Sequence, residues 1–286
     1  MFSRSLSHTD LSLKELAHLA YDIRIDLLQA LAEAKSGHAG GPLGLAEIFA
    51  ALYFRILRVD PKKPDWPERD RLVLSCGHTC PVLYATLARR GFCNRTAFLK
   101  TLRKKGSPFQ GHPNTHFNIG IETCSGPLAQ GYSQAIGMAL AARLSGATWR
   151  TYLIGSDGEL NEGQTWEAIL FAGKERLRNL TCLIDRNNIQ IDGNTEDIMP
   201  LEPLAEKWRA FQWHVIEIDG HNMRAIIDAY KQAEAIAEKP TVIIAHTIPG
   251  KGVSFMERKY EWHGKAPTPE EARRAIKELE YAQSQL

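Results

Sequence analysis

No segment of this chain approaches the roughly 18 consecutive apolar residues that a membrane-spanning helix needs. The opening MFSRSLSHTDLSLKEL holds neither a long apolar core nor a small-residue cleavage site, so we expect a cytoplasmic protein without membrane attachment. A charge imbalance is missing too: 35 Lys and Arg against 33 Asp and Glu leave a formal charge of +2. That balance gives no electrostatic case for nucleic acid, and the basic run LRKKG at 102–106 reads as a solvated face. Five cysteines, at 76, 80, 93, 124 and 182, form no C-x-x-C pair, and their odd number fits reduced thiols rather than a disulfide framework. Cys76, His78 and Cys80 lie close along the chain, yet two thiols and one imidazole without a second cluster do not make a zinc set. No G-x-G-x-x-G follows the first strand and no acidic residue stands about 20 positions on, which argues against a nicotinamide dinucleotide. Internal repeats and low-complexity tracts are absent.

What is present describes a soluble globular chain: 286 residues, 44% hydrophobic and 24% charged, are enough to bury a large core. We expect a single domain over 1–286 with an N-terminal helical arm over about 1–34. In that arm Leu16, Leu19, Ala20, Ile23, Leu27 and Leu31 recur at the spacing of a one-sided helix. A glycine-rich turn, SGHAGG, follows, then a helix predicted over 45–58 and a proline-rich surface excursion, DPKKPDWP, at 60–67. Strands are predicted over 71–75, 151–154, 180–184, 213–218 and 241–245, and helices over 131–144, 165–174 and 223–239. The alternation predicts an α/β fold, a doubly wound parallel sheet with helices on both faces.

The stretch from Gly155 to Gly193 carries the most chemistry. It reads GSDGELNEGQTWEA, then an amphipathic segment, then LIDRNNIQIDG. Asp157 follows one apolar strand and Asn187 follows the next, so a βαβ crossover brings both to the carboxyl edge of the sheet, where open parallel sheets bind ligands. Magnesium takes hard oxygen ligands and keeps phosphate oxygens and water. Asp157, the Asn187 carboxamide and a backbone carbonyl at Ile189 would suffice for a Mg²⁺-diphosphate site, and Ca²⁺ or Mn²⁺ would suit the same donors. The same two residues also read as a helix cap and a turn, and taken alone they leave both readings open.

The Asp-Gly…Asn pattern with NEG after it resembles the thiamine diphosphate motif of transketolases. SGHAGGPLG at 36–44, LSCGHTCPVLYA at 74–85, GHPNTHFNIGIETCSGPLAQG at 111–131, WHVIEIDGH at 213–221 and EWHGKAP at 261–267 resemble segments of the same family, in the same order. Ser156 departs from the motif, which usually has glycine there, and Gly155 stands one position earlier. The resemblance implies a thiamin-diphosphate-binding fold. It places His78, Gly158 and Asn187 at the cofactor's diphosphate and Gly126, Pro127 and Leu128 at its rings, with a backbone carbonyl accepting from the aminopyrimidine. It gives His38, His112 and His263 the donor's carbonyl and hydroxyls and the shuttling of protons, which suits imidazole because it titrates near neutrality. His263 also touches cofactor. Glu162 matches an acidic residue near the contact between enzyme halves, and Arg103 aligns weakly with a channel arginine. His116, His214, His221 and His246 read as structural.

A complete transketolase of this type is about twice as long and carries a second, pyrimidine-binding domain. The resemblance covers the diphosphate-binding half, which implies a split enzyme whose C-terminal subunit is a separate chain, as an α2β2 heterotetramer. The implied reaction moves a two-carbon ketol unit from a ketose (phosphate) to an aldose (phosphate), with the cofactor as electron sink. Two alternatives remain: the α subunit of a 2-oxo-acid dehydrogenase, which would not explain the SGH, CGH and WHG loops, and a non-catalytic interaction protein of the same fold.

Overall fold

The apolar runs pair as predicted in the computed structural model, which describes residues 11–117 and 119–286. In chain order come α1 (Leu13–Ala34), α2 (Gly40–Gly44), α3 (Ala46–Ala51), β1 (Arg71–Leu74), α4 (Cys80–Arg90), α5 (Arg95–Thr101) and α6 (Gln130–Ser145). There follow β2 (Thr151–Ser156), α7 (Gly163–Lys174), β3 (Leu180–Arg186), the short pair β4 (Ile189–Gln190) and β5 (Gly193–Asn194), α8 (Thr195–Ile198) and α9 (Leu204–Ala210). The chain finishes with β6 (His214–Asp219), α10 (Met223–Ala235), β7 (Thr241–His246) and α11 (Pro269–Ser284). The main sheet runs β1-β2-β3-β7-β6 with every pairing parallel.

Successive residues of a strand point to opposite faces, and the strands are buried on both. Tyr152 and Ile154 of β2 join the core beneath α1, α3, α4 and α10, whereas Leu153 joins the core beneath α6, α7 and α9. Right-handed crossovers explain the two layers. The step β2–α7–β3 runs one way across the sheet and β6–α10–β7 runs back, so α7 and α10 cover opposite faces. The loops that leave β2, β3 and β7 meet at the carboxyl edge.

Several boundaries moved for identifiable reasons. The expected turn at SGHAGG is partly helix, because α2 takes up Gly40–Gly44. Its glycines are there for closeness: a Cβ on Gly40 would lie 3.1 Å from the Trp262 carbonyl oxygen and one on Gly44 would lie 3.0 Å from that of Ile248. Tertiary contact thus overrides the poor helix propensity of glycine. The helix predicted over 45–58 is α3 followed by a wide π turn, Leu52–Ile56. α10 stops at Ala235, short of Lys239, because Ile236 already turns to extended backbone, φ −72° and ψ 112°. β3 runs on to Arg186, so Asp185 lies within the strand, opposite Ser156 and Ala245. α11 was not predicted, although Thr268 and Glu271 form its capping box and Pro269 opens it.

α1 begins on a second capping box, Ser12 with Glu15, and buries Leu16, Ala20, Ile23, Leu27 and Leu31. Residues 1–10 of the expected arm, with His8, lie outside the described residues. No helix among the described residues is long and apolar enough to cross a membrane.

Candidate functional site

Asp157 is the first residue after β2, and its fully buried carboxylate ties the β2 and β3 exits together. One oxygen, Oδ1, accepts the Gly158 N–H at 2.8 Å. The other, Oδ2, accepts the Asn188 N–H at 2.7 Å, Arg186 Nη1 at 3.1 Å and the Thr195 hydroxyl at 3.5 Å. Asn188 reaches it through a left-handed backbone, φ 63°, a conformation that Asn tolerates better than most residues. Asn187 is braced on both sides: its Nδ2 donates to Asp185 Oδ2 at 2.7 Å, and its Oδ1 accepts the Ile189 N–H at 3.0 Å. Thr247, beyond β7, donates its hydroxyl to the other oxygen of Asp185.

Burial pushes the Asp157 carboxyl up to about 6, against the pull of Arg186, and pushes Asp185 up to about 7, with the Asp157 charge adding to the rise. The donor set fits a divalent cation. Asp157 Oδ1 and Asn187 Oδ1 each accept a single N–H, which leaves lone pairs on two hard oxygens. Among the described residues no group of three or more His, Cys, Asp or Glu is placed to hold a metal. The set therefore needs outside oxygens, from phosphate and water, to complete a shell.

The turn after β2 does not need a positive φ at 156. Ser156 is an extended strand residue, absent from the positive-φ positions, and its N–H donates to Glu159 Oε2 at 3.4 Å. Gly155 serves packing instead, since a Cβ there would collide with the Tyr132 hydroxyl.

Three histidines from distant segments converge. His38 precedes α2, His78 lies in a 3₁₀ turn before α4, and His263 follows another 3₁₀ turn at Tyr260–Trp262. Their ring centroids lie 5.0 Å (38–78), 5.2 Å (78–263) and 5.8 Å (38–263) apart. His112 stands at Gly126, where an added Cβ would lie 3.5 Å from its ring. Burial, with the neighbouring His263, Arg103 and His112, pulls His38 down to about 4, and burial with the other histidines pulls His78 down to about 3. Burial also lowers His263 and His112, the latter helped by Arg103. At neutral pH the rings are uncharged. The Nδ1 atoms of His38 and His263 are buried without a hydrogen-bond partner.

The segment after His112 supplies another wall. The Ser125 hydroxyl is buried and unpartnered, 2.8 Å from where a Cβ on Gly77 would stand. Pro127 and Leu128 are exposed beyond the half-buried Gly126. Ala129 then holds a left-handed φ of 69° and donates its N–H to Glu159 Oε1 at 2.7 Å. The same oxygen accepts the Ser75 hydroxyl at 2.5 Å, and burial raises Glu159 to about 7. Glu162 is exposed at the start of α7, where its side chain caps nothing. Arg103 has its guanidinium 3.0 Å from where a Cβ on Gly111 would stand, near His38 and His112.

The two thiols flanking His78 point elsewhere. Cys76 meets the Thr79 hydroxyl at 3.5 Å and Cys80 the Gly111 carbonyl at 3.2 Å, both raised by burial. His221 bridges Glu47, at 3.2 Å, and the Ile248 N–H, at 2.8 Å. Sequence reasoning missed Ser125, Glu159, Arg186 and Thr247. Only the run DGEL, with an acid two residues past Asp157, offered a signal for any of them.

Residues 16–285 match the family described as transketolase, thiamine diphosphate binding domain. The chain is 47% identical over 266 residues to the 6-deoxy-6-sulfo-D-fructose transketolase subunit SqwG of Clostridium sp. (strain MSTE9), covering 93% of this chain and 96% of that one. It is 42% identical over 253 residues to an apulose-4-phosphate transketolase subunit of Phocaeicola vulgatus, covering 88% and 89%. Its fold is similar to that of the transketolase from Campylobacter jejuni, with a TM-score of 0.85 and 34% identity, over 94% of this chain and 42% of that chain.

Proposed function

The chain belongs to the transketolase family, as a transketolase subunit, and on that premise we propose that the strand exits and the histidine cluster form the diphosphate-binding half of an active site completed by a separate C-terminal subunit. The observation that carries the reading is the meeting of three half-buried imidazoles, two with buried, unpartnered Nδ1 atoms, beside the unpartnered Ser125 hydroxyl. Buried polar atoms without partners are costly unless a ligand satisfies them. The relatives are transketolase subunits, so the 2-oxo-acid dehydrogenase alternative is not favoured.

Asp157, Asn187 and the Ile189 carbonyl would hold Mg²⁺, or Ca²⁺ or Mn²⁺, against the diphosphate, with Gly158 and His78 beside it. Gly126, Pro127 and Leu128 would meet the cofactor's rings, with a backbone carbonyl set to accept from the aminopyrimidine. Bound thiamine diphosphate supplies the electron sink for two-carbon transfer. His38, His112 and His263 would bind the donor's carbonyl and hydroxyls and move protons at their ring nitrogens. Their depressed basicity keeps them neutral at pH 7, so each ring offers both a donor and an acceptor. The two relatives are named for 6-deoxy-6-sulfo-D-fructose and for apulose 4-phosphate, and we assign this chain a ketose donor that carries an anionic sulfo or phosphate group.

Leu128, Ile191, Ile198, Met199 and Tyr260 are large apolar residues left exposed around the carboxyl edge, where a partner would cover them and reach Glu162. The assembly we expect is α2β2. Five free cysteines suit a reducing compartment, and we place the protein in the cytoplasm. The test is reconstitution with a chain matching the remaining part of transketolase, followed by thiamine diphosphate-dependent ketol transfer. Neither chain should turn over ketose alone. Efficient turnover by this chain unaided would overturn the shared active site.

A further inference from the structure

At the amino ends of β2 and β3 lies a cavity of about 540 Å³ whose lining includes Arg143, Trp149, Arg150, Arg176, Arg178 and Glu234. It sits one strand length, roughly 20 Å, from Asp157. Four guanidinium groups face one carboxylate, and the carboxylate is engaged: Glu234 accepts the Tyr152 hydroxyl at 3.2 Å. Arg143 is also spoken for, by the Glu175 carboxylate and carbonyl, both at 2.7 Å.

Thr148 and Asn179 can accept as well as donate, and apart from Glu234 the other polar side chains of the lining only donate. Arg150 gives one nitrogen to the Arg178 carbonyl at 3.0 Å, but its Nε is buried without a partner. Trp149 Nε1 is buried and unpartnered as well, while its ring is held under the Arg71 guanidinium at 4.7 Å. Arg176 and Arg178 are exposed, and no hydrogen bond or ion pair joins their guanidinium groups to the described residues. A tight turn joins the two residues: the Arg178 N–H donates to the Arg176 carbonyl at 2.8 Å, and Arg176 keeps a left-handed φ of 49°.

A neutral ligand needs acceptors as well as donors, but indole N–H and guanidinium only donate. The complement is an anion rich in acceptor oxygens, and guanidinium groups match phosphoryl oxygens in paired, charge-assisted bonds. The volume falls within the roughly 300–1,000 Å³ of small-molecule pockets. We infer that this cavity is a second ligand site, for a small phosphorylated molecule, separate from the carboxyl-edge site. Arg176 and Arg178 capture the phosphoryl group, and the Trp149 and Arg150 side chains line the space beside it.

Inorganic pyrophosphate is a suitable probe, titrated by calorimetry into the full chain with a chelator present, so that the metal-dependent edge site is silent. Binding should be saturable, weaken with salt, and fall about tenfold or more in Arg176→Gln/Arg178→Gln. Both side chains are exposed, so an unchanged melting temperature of the double variant will separate lost binding from lost fold. His78→Ala, at the opposite edge, should leave the affinity unaltered. The inference fails if the double variant binds as tightly as the parent, if His78→Ala abolishes binding, or if no saturable heat appears.

Discussion

At the residue scale, the buried acid Glu159 does more than its sequence context suggested. It accepts from Ser75 and from Ala129, 84 and 30 positions away, so its carboxylate fastens the β1 exit and the segment after Leu128 onto β2. Glu159→Ala would orphan both donors. We expect a loss of about 2–3 kcal/mol by chemical denaturation, and weaker thiamine diphosphate binding as the 126–128 segment loosens. Glu159→Gln retains an acceptor and a similar shape, and should cost about 1 kcal/mol or less. An alanine variant of parental stability would refute the clamp. The histidines give a pH dependence whose direction is fixed. Their folded basicity lies below the unfolded value, so the unfolded state takes up protons first. Their contribution is whole above about pH 6.5 and is lost as the pH falls toward 4 for His38 and 3 for His78. Stability against pH, followed for the parent and His38→Asn, should show the variant recovering on the order of 1–2 kcal/mol near pH 4.5, after allowance for the ring's residual exposure. Parallel curves would mean that His38 titrates normally. These histidines were legible because the segments that carry them, SGH, CGH, GHP and WHG, resemble transketolase segments. Glu159 was not, because its partners come from elsewhere in the chain.

At the element scale, continuous apolar runs and helical patterning located the five main strands and most long helices, and the errors fall where tertiary contact decides. α2 reads as a glycine turn until its glycines are seen against the Trp262 and Ile248 carbonyls. Asp185 reads as a loop residue until Thr247 and Asn187 are seen to satisfy it inside β3. The β3 exit depends on one backbone conformation that the sequence did not announce, the left-handed Asn188 whose N–H reaches Asp157. Asn188→Gly should be within about 0.5 kcal/mol of the parent, because glycine adopts that φ freely. Asn188→Val should cost about 1–2 kcal/mol and raise the concentration of Mg²⁺ needed for cofactor binding. Thermal unfolding and a metal titration read the two effects. If Val is tolerated as well as Gly, the turn is not what positions Asp157.

At the scale of the whole molecule, the sheet delivers an incomplete surface. The histidines, Ser125 and the two strand exits gather at the carboxyl edge, and around them Ile191 is 63% exposed and Met199 57%. Leu144 and Tyr281 are exposed elsewhere too, but at this edge Leu128, Ile191, Ile198, Met199 and Tyr260 stand together around the proposed site, as a surface that a partner would cover. Ile191 stands close to the histidine cluster as well, since a Cβ on Gly264 would touch both its Cδ1, at 3.7 Å, and the His38 ring, at 3.8 Å. Ile191→Glu and Met199→Lys remove apolar contact where the isolated chain makes little of it. Both variants should therefore melt within about 2 °C of the parent, as surface substitutions do. Their association with the partner subunit should weaken about tenfold or more, since a charge buried at an interface without a counter-ion is expensive. Sedimentation of the mixed subunits reads the association, and ketol transfer at rising partner concentration reads its consequence. If the interface reading is right, excess partner will restore much of the activity of Met199→Lys, whose site residues are intact. Parental association by both variants would place the partner on another face.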